Sequence, residues 1–263
     1  MPELPEVETV VRSVAHHVVG HSILAAELSS QRVTRGGFEQ TAAALTGARI
    51  HGIRRRGKQI FFDLESGLLY VHLGMTGKLL WNGPRTKFTR AVFHFETGTL
   101  LYDDIRQFGR VEYFASMPEF LDRAGPDALS ISFEDFYSRL KRHNGSMKTL
   151  LLNQAFISGV GNIYADEALF AARIHPRTSA RRISAKRARA LYDGMLEILH
   201  AAIVHRGSSI SDYVDSAGNR GSFQQLHCVY GRAGQPCVRC GALIRRIVLG
   251  QRGTHYCPRC QRA

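Results

Sequence analysis

Four of the chain's five cysteines crowd into its last 27 residues, as Cys237-x2-Cys240, a 16-residue gap and Cys257-x2-Cys260. Each Cys-x-x-Cys offers two thiolates from one tight turn to one metal, and two such knuckles complete a tetrahedron. The rival arrangement, two disulfides, belongs to an oxidising compartment. The start of the chain, Met1-Pro2-Glu3-Leu4-Pro5-Glu6, has neither the cationic region nor the apolar centre of a secretory signal. The spacing therefore predicts one structural Zn²⁺ on Cys237, Cys240, Cys257 and Cys260, with no open position for catalysis. Residues 229–260 are expected to form the zinc unit around a β-hairpin. Arg239, Arg245, Arg246, Arg252 and Arg259 surround the cysteines and reverse the local charge of the four thiolates. Cys228 reads as an ordinary small apolar residue.

Charge points the same way. Lys and Arg number 35 against 22 Asp and Glu, a net +13. The excess is lopsided: residues 1–130 carry net +1 and residues 131–263 carry net +12. A basic half of this kind fits a polyanion, most often nucleic acid. An apolar share of 44% over 263 residues supports a real core in one large domain or two smaller ones. No apolar run approaches the roughly 18 residues that cross a bilayer, so no membrane association is expected.

Along the chain, Leu4, Val7, Val11, Val14 and Val18 recur at helical spacing, which predicts an amphipathic helix over 5–19. Pro5, Glu6 and Glu8 suit its first turn, and Pro2 and Glu3 sit just ahead of it. From 22 to 115 the pattern is one of short strands, with turns at Glu65-Ser66-Gly67 and Glu96-Thr97-Gly98; many even strands suggest a sandwich or barrel. After Gly125-Pro126-Asp127 helical periodicity takes over near 134–142, 147–156, 162–172 and 184–205. Between two of these lies Ser158-Gly159-Val160-Gly161-Asn162, a helix–turn–helix device with Asn162 as N-cap and exposed amides suited to a phosphate. The glycine- and serine-rich stretch 206–225 reads as a mobile loop. The fold class is thus α+β: an N-terminal helix plus β-sandwich (1–125), a helical domain with a helix-two-turn-helix (126–225) and a β-hairpin zinc finger (226–263).

The chemistry turns on the first residues. Removal of an initiator methionine ahead of a small proline exposes the secondary amine of Pro2. An α-amine titrates near roughly 8, so a useful fraction is neutral at cell pH. A neutral secondary amine can attack a sugar carbon and form an iminium. Glu3 can act beside it as acid or base, and Glu6 can orient water or tune Glu3.

Met1-Pro2-Glu3-Leu4-Pro5-Glu6-Val7-Glu8-Thr9 resembles the opening of bacterial formamidopyrimidine-DNA glycosylases. The resemblance continues through Arg56-Gly57-Lys58, His72-Leu73-Gly74-Met75-Thr76-Gly77, Arg106-Gln107-Phe108-Gly109, Gly159-Val160-Gly161-Asn162-Ile163-Tyr164-Ala165-Asp166-Glu167 and Val229-Tyr230-Gly231. It ends in the zinc finger with Arg252 and Gln261. It implies a bifunctional base-excision repair enzyme that removes 8-oxoguanine and formamidopyrimidines and then cuts the strand by β,δ-elimination. Such an enzyme works in the bacterial cytoplasm at the nucleoid, as a monomer, on damaged double-stranded DNA bent across a cleft. Carried onto this sequence, Pro2 is the nucleophile at C1′, Glu3 protonates the sugar ring oxygen, and Lys58 binds phosphate. Asn162, Arg252 and Lys148 hold phosphates around the lesion. Met75, Arg106 and Phe108 fill the gap left by the extruded nucleotide, with His72 beside them. The segment 211–228 departs from the family pattern at His227 and Cys228, which loosens the lesion preference. Two alternatives stay open at this point: a noncatalytic zinc-finger protein that binds damaged DNA, and an endonuclease-VIII-like glycosylase for oxidised pyrimidines.

Overall fold

The computed structural model describes residues 1–262, so Ala263, the last residue of the expected finger, lies outside them. The chain divides into two compact units, Met1–Leu121 with His205–Gln224, and Asp122–Val204 with the residues from Gln225 onward.

In the first unit, α1 (Leu4–Val18) begins at Glu3, whose extended backbone (φ −103°) caps the helix. Its valines at 7, 10, 11, 14 and 18 are buried on one stripe. Two antiparallel four-stranded sheets make up the sandwich. One orders β1 (Ala25–Leu28), β6 (Thr89–Phe95), β7 (Gly98–Asp103) and β5 (Lys78–Trp81); the other orders β2 (Ile50–Arg56), β3 (Gln59–Leu64), β4 (Leu68–His72) and β8 (Arg110–Phe114). The valines of α1 share one core with Ile60, Phe62 and Val71 of one sheet and Phe93, Leu100 and Tyr102 of the other. At roughly 25 cal/mol per Å² of apolar surface this burial is the main stabilising term.

Strict alternation fails at β3. Phe61 and Phe62 are both buried, because Phe61 points to a second cluster with Leu68, Tyr70 and Leu121 on the outer face. A helix also interrupts the strand-rich stretch: α2 (Phe38–Leu45). Its Thr41-Ala42-Ala43-Ala44-Leu45 run has strong helix propensity, which strand alternation does not register.

The stretch 206–225 is not a loose loop. Ser208, Ser209, Asp215 and Ser216 are buried. The Ser209 hydroxyl donates to the Tyr213 carbonyl (2.8 Å) and accepts from the Gly221 amide (2.8 Å). Asp215 accepts from the amides of Ala217 and Asn219. The Trp81 amide donates to the Ser216 carbonyl (2.8 Å), adding the segment to the β5 edge. Small polar side chains here satisfy their own backbone, which composition alone cannot separate from disorder.

The second unit holds α3 (Phe133–Lys141), α4 (Met147–Leu152), α5 (Asn162–Ala171), α6 (Ala185–Val204) and the hairpin β9 (Arg245–Leu249)–β10 (Arg252–Tyr256). Ser132 and Ser146 cap α3 and α4 by accepting amide hydrogens from Asp135 and Thr149. In α5 every residue from Ile163 to Phe170 is buried, as expected of a helix at the centre of a bundle. Among the described residues no helix is long and apolar enough to cross a membrane.

The turns of the first unit leave no slack at Gly109. A Cβ there would lie 1.7 Å from the Tyr102 hydroxyl and 2.5 Å from the His72 carbonyl oxygen. Gly109→Ala is expected to cost about 1–3 kcal/mol by overpacking. A urea-unfolding midpoint equal to that of the parent would contradict this close approach.

Candidate active site and nucleic-acid interface

The first turn of α1 is held by Glu6. Its Oε2 accepts the Glu3 amide hydrogen (2.7 Å) and its Oε1 accepts the Ser208 amide hydrogen (2.7 Å). Glu3 and Glu6 together make a capping box. Gly207, at φ +77°, brings its backbone so close that a Cβ would meet Glu6 Oε1 at 2.6 Å. Glu6 is almost fully buried, and backbone amides occupy both oxygens. Each Glu6 oxygen thus accepts a backbone amide, which ties Glu3 into the first turn of α1. Pro2 and Glu3 are buried beside it, whereas Met1 is half exposed.

Lys58 lies in the β2–β3 turn, buried at its base. Arg55 joins that turn to α1: its Nε pairs with Glu8 Oε2 (2.9 Å) and its Nη1 donates to the Gly57 carbonyl (2.9 Å). Burial alone raises the Glu8 carboxyl, but hydrogen bonds and charge from Arg55 and Arg12 outweigh it and hold the group below its usual range.

Met75, Arg106 and Phe108 come together although 31 residues separate the first two. Arg106 Nη1 lies 3.0 Å from Met75 Sδ, and its guanidinium stacks 4.6 Å from the centre of the Phe108 ring. Phe108 is 57% exposed and Met75 38%, so two apolar side chains and a cation stand out from the surface. Buried Asp104, which sequence reasoning missed, sets their loops. Its Oδ1 accepts from Thr76 Oγ1 (2.5 Å) and its Oδ2 from the Gly109 amide (2.9 Å); Thr76 Oγ1 in turn accepts from the Arg106 amide (3.1 Å). His72 stands behind the Met75 loop, its Nδ1 accepting the Gly74 amide hydrogen (3.2 Å). Burial, then the charges of Lys58 and Arg110, push its imidazole down to about 4, so it stays neutral near pH 7.

In the second unit Asn162 is the first residue of α5, and Gly161 is the cap. Instead of capping, the Asn162 side-chain amide donates to the Gly253 carbonyl (3.0 Å), next to Arg252 in β10. The structure thus brings Asn162 and the Arg252 hairpin together across 91 residues. The hairpin tip leans on α4, where a Cβ on Gly250 would meet Thr149 Cγ2 at 3.0 Å. Arg252 is exposed.

Lys148 does not behave as a surface phosphate contact. It is fully buried; its ammonium pairs with Asp166 Oδ1 (2.7 Å) and donates to the Asn162 carbonyl (2.8 Å). Asp166 Oδ2 accepts the His255 amide hydrogen (2.8 Å) and lies 3.1 Å from the His255 ring nitrogen. Next to it, Glu167 accepts amide hydrogens from Cys228, Val229 and Tyr230 at 2.8–2.9 Å. Burial outweighs those three amides and raises its carboxyl. Two acids in an otherwise apolar helix were the available signal, since buried carboxylates need partners. His227 and Cys228 enter this strap; the imidazole of His227 is pushed down to about 4 by burial.

The four cysteines fit zinc. Their sulfurs all lie within 4.8 Å of one another, with 3.9 Å between Cys237 and Cys260 and 3.5 Å between Cys240 and Cys257. A tetrahedron with Zn–S bonds of about 2.3 Å has edges of about 3.8 Å. Amides of Arg239 and Cys260 approach the Cys237 and Cys257 sulfurs at 3.4 Å, the usual support for thiolates in a knuckle. A closed set of four sulfurs makes the ion structural.

His72 binds a proton less readily folded than unfolded, so stability should fall as pH drops from about 6.5 to about 4, by roughly 2–3 kcal/mol for this group. His72→Gln should lose less stability than the parent over that range; equal losses would mean that His72 is not buried neutral. Asp166→Ala strands the Lys148 ammonium and should cost about 3–5 kcal/mol, while Lys148→Met combined with Asp166→Leu should recover much of it. Urea unfolding with zinc content monitored decides this, and an Asp166→Ala variant as stable as the parent would remove the pair from the account.

Three family models match in order: Formamidopyrimidine-DNA glycosylase N-terminal domain over residues 1–111, Formamidopyrimidine-DNA glycosylase H2TH domain over 124–214, and Zinc finger found in FPG and IleRS over 234–263. The formamidopyrimidine-DNA glycosylase of Solibacter usitatus is 54% identical, with 100% of each chain covered. That of Lactococcus lactis subsp. lactis is 40% identical, with 99% of each chain covered. Among solved structures, the Lactococcus lactis Fpg in complex with an abasic site containing DNA matches at TM-score 0.92 and 38% identity, covering 99% of this chain and 100% of that one. The MutM (Fpg) protein of Thermus thermophilus matches at TM-score 0.90 and 42% identity, covering 99% and 98%. Matched by family models through most of its length and by relatives over its full length, this chain belongs to the formamidopyrimidine-DNA glycosylase family.

Proposed function

We infer that this chain is a DNA glycosylase of base excision repair with abasic-site lyase activity, acting on oxidised purines in double-stranded DNA. The observation that carries the reading is the seat built for the chain start: Pro2 and Glu3 are buried, and the Glu3 amide is held by the Glu6 carboxylate.

With Met1 removed, the Pro2 nitrogen is a neutral secondary amine for part of the time at cell pH. It bonds to C1′ as the glycosidic bond breaks; the bonding pair leaves with the base, and the proton released from the Pro2 nitrogen balances the one the base takes up. Glu3 then gives a proton to the ring oxygen, the C1′–O4′ bond opens, and an iminium joins Pro2 to the sugar. The iminium acidifies C2′. Loss of that proton expels the 3′ phosphate, a second elimination expels the 5′ phosphate, and water releases the remnant from Pro2. Lys58 supplies a cation for a phosphate beside the sugar.

C1′ is hidden in a stacked nucleotide, so the lesion must first leave the helix at a cost of a few kcal/mol. The exposed cluster of Met75, Arg106 and Phe108 has the makeup of a wedge that fills the gap, with the guanidinium placed to hydrogen-bond an orphaned base. Asn162 and Arg252 supply phosphate contacts without sequence preference, as a scanner requires. Lys148 serves this grip from behind, through the Asn162 carbonyl. We assign these roles to three modules, a catalytic sandwich, a helical module and a finger, working on the chromosome in the cytoplasm as a single copy.

Intact-mass analysis should show loss of Met1, and borohydride should trap the protein on DNA carrying an abasic site. Pro2→Gly should keep DNA binding and lose most base release and strand cleavage. Glu3→Gln should lower base release about 10²–10⁴-fold at unchanged affinity. Full activity in Pro2→Gly, or in a protein that retains Met1, would remove Pro2 as the nucleophile.

A further inference from the structure

The second unit carries a cavity that the glycosylase chemistry does not use. It has a volume of about 550 Å³ and is lined by Arg173, Arg187, Arg239, Cys240, Arg259, Cys260 and Arg262. Every lining residue other than the two zinc-binding cysteines is an arginine. No carboxylate pairs with any of the five guanidinium groups among the described residues. Arg239 is partly engaged: its Nη1 donates to the Phe170 carbonyl (2.7 Å) and its guanidinium stacks on the Phe170 ring at 4.2 Å. That contact fixes the group in place and leaves its other donors available. Arg187 is half-buried in the wall.

The cavity stands apart from the phosphate contacts assigned to Asn162. Asn162 starts α5, whereas Arg173 follows its C-terminus by two residues, and ten helical residues span about 15 Å. With zinc on the four thiolates, the metal centre carries −2. Five arginines therefore exceed its charge by three, more than neutralisation of the thiolates requires.

Like charges crowded around one concavity destabilise the fold unless an anion shares it. The lining has no aromatic or aliphatic side chain, so it offers a base or an apolar group nothing to stack on. Guanidinium forks match phosphate oxygens bidentately, and several forks around one cavity favour several phosphates close together. We propose that this arginine-lined cavity behind the zinc knuckles is a second anion site that binds consecutive phosphate groups. They come either from a free polyphosphate or from a nucleic-acid single strand outside the lesion contacts.

The test uses the full-length, zinc-loaded protein and inorganic triphosphate, followed by calorimetry at about 0.1 M salt, where screening acts over about 10 Å. Triphosphate should bind. Arg187→Ala combined with Arg262→Ala should weaken it by about tenfold or more, while Arg252→Ala leaves it unchanged. A second arm uses an undamaged oligothymidylate of about twelve nucleotides. If triphosphate competes with it and the double variant weakens it, the phosphates belong to a strand; if neither happens while triphosphate binds, the ligand is a free polyphosphate. Absence of triphosphate binding, or binding indifferent to the double variant, overturns the site. So does loss of zinc from the double variant, because the arginines would then serve the thiolates. Stronger competition by an acidic peptide than by triphosphate overturns it in favour of a carboxylate partner. None of these readouts depends on glycosylase activity, so the two readings fail separately.

Discussion

A single buried carboxylate, Glu6, governs the chain start. It satisfies the Glu3 amide through one oxygen and the Ser208 amide through the other, at 2.7 Å each. Helix starts leave amides unpaired, and an unpaired amide in a buried place costs free energy. Glu6 removes that cost at Glu3 and fixes the direction in which Pro2 and Glu3 leave the helix. A chain terminus is ordinarily the least ordered part of a protein. Here a segment 202 residues further along the chain closes over it, and Gly207 permits the approach because a Cβ would collide with Glu6.

The second unit solves a similar problem with the helix α5. Its apolar surface is buried all round, yet it carries Asp166 and Glu167 in its middle. Both acids are matched. Asp166 takes the Lys148 ammonium and the His255 amide, and Glu167 takes three successive amides ahead of the finger. Buried charges of this kind add little net stability but penalise any other arrangement. The finger is thereby tied to α5 at its entrance strap and at its hairpin, in addition to its own zinc knuckles. Asn162 and Arg252 each sit one bond or one residue from that frame, so the two share a rigid support.

The candidate functional residues were legible where their types or spacing are rare. Paired Cys-x-x-Cys motifs, a Pro-Glu start and the Gly159-Val160-Gly161-Asn162 turn stand out without any structure. The residues that hold them were not. Asp104, Ser208 and Asp166 are common polar types whose partners are distant in sequence, so nothing local marks them. Lys148 shows the converse: the family resemblance groups it with the phosphate contacts, but burial against Asp166 turns it inward. The serine-rich segment 206–225 misled for the same reason, since composition records polarity and not where the hydrogen bonds go.

By itself the sequence determined the order of helix, sandwich, helices and finger, because hydrophobic period and metal-ligand spacing are local properties. It also singled out the side chains proposed to react. Tertiary structure alone decided which carboxylates are buried and paired, how Met75 and Phe108 come to share one guanidinium, and that five arginines surround one cavity. Those facts depend on contacts between residues far apart in the chain, and free energies of burial and charge are set by neighbours in space.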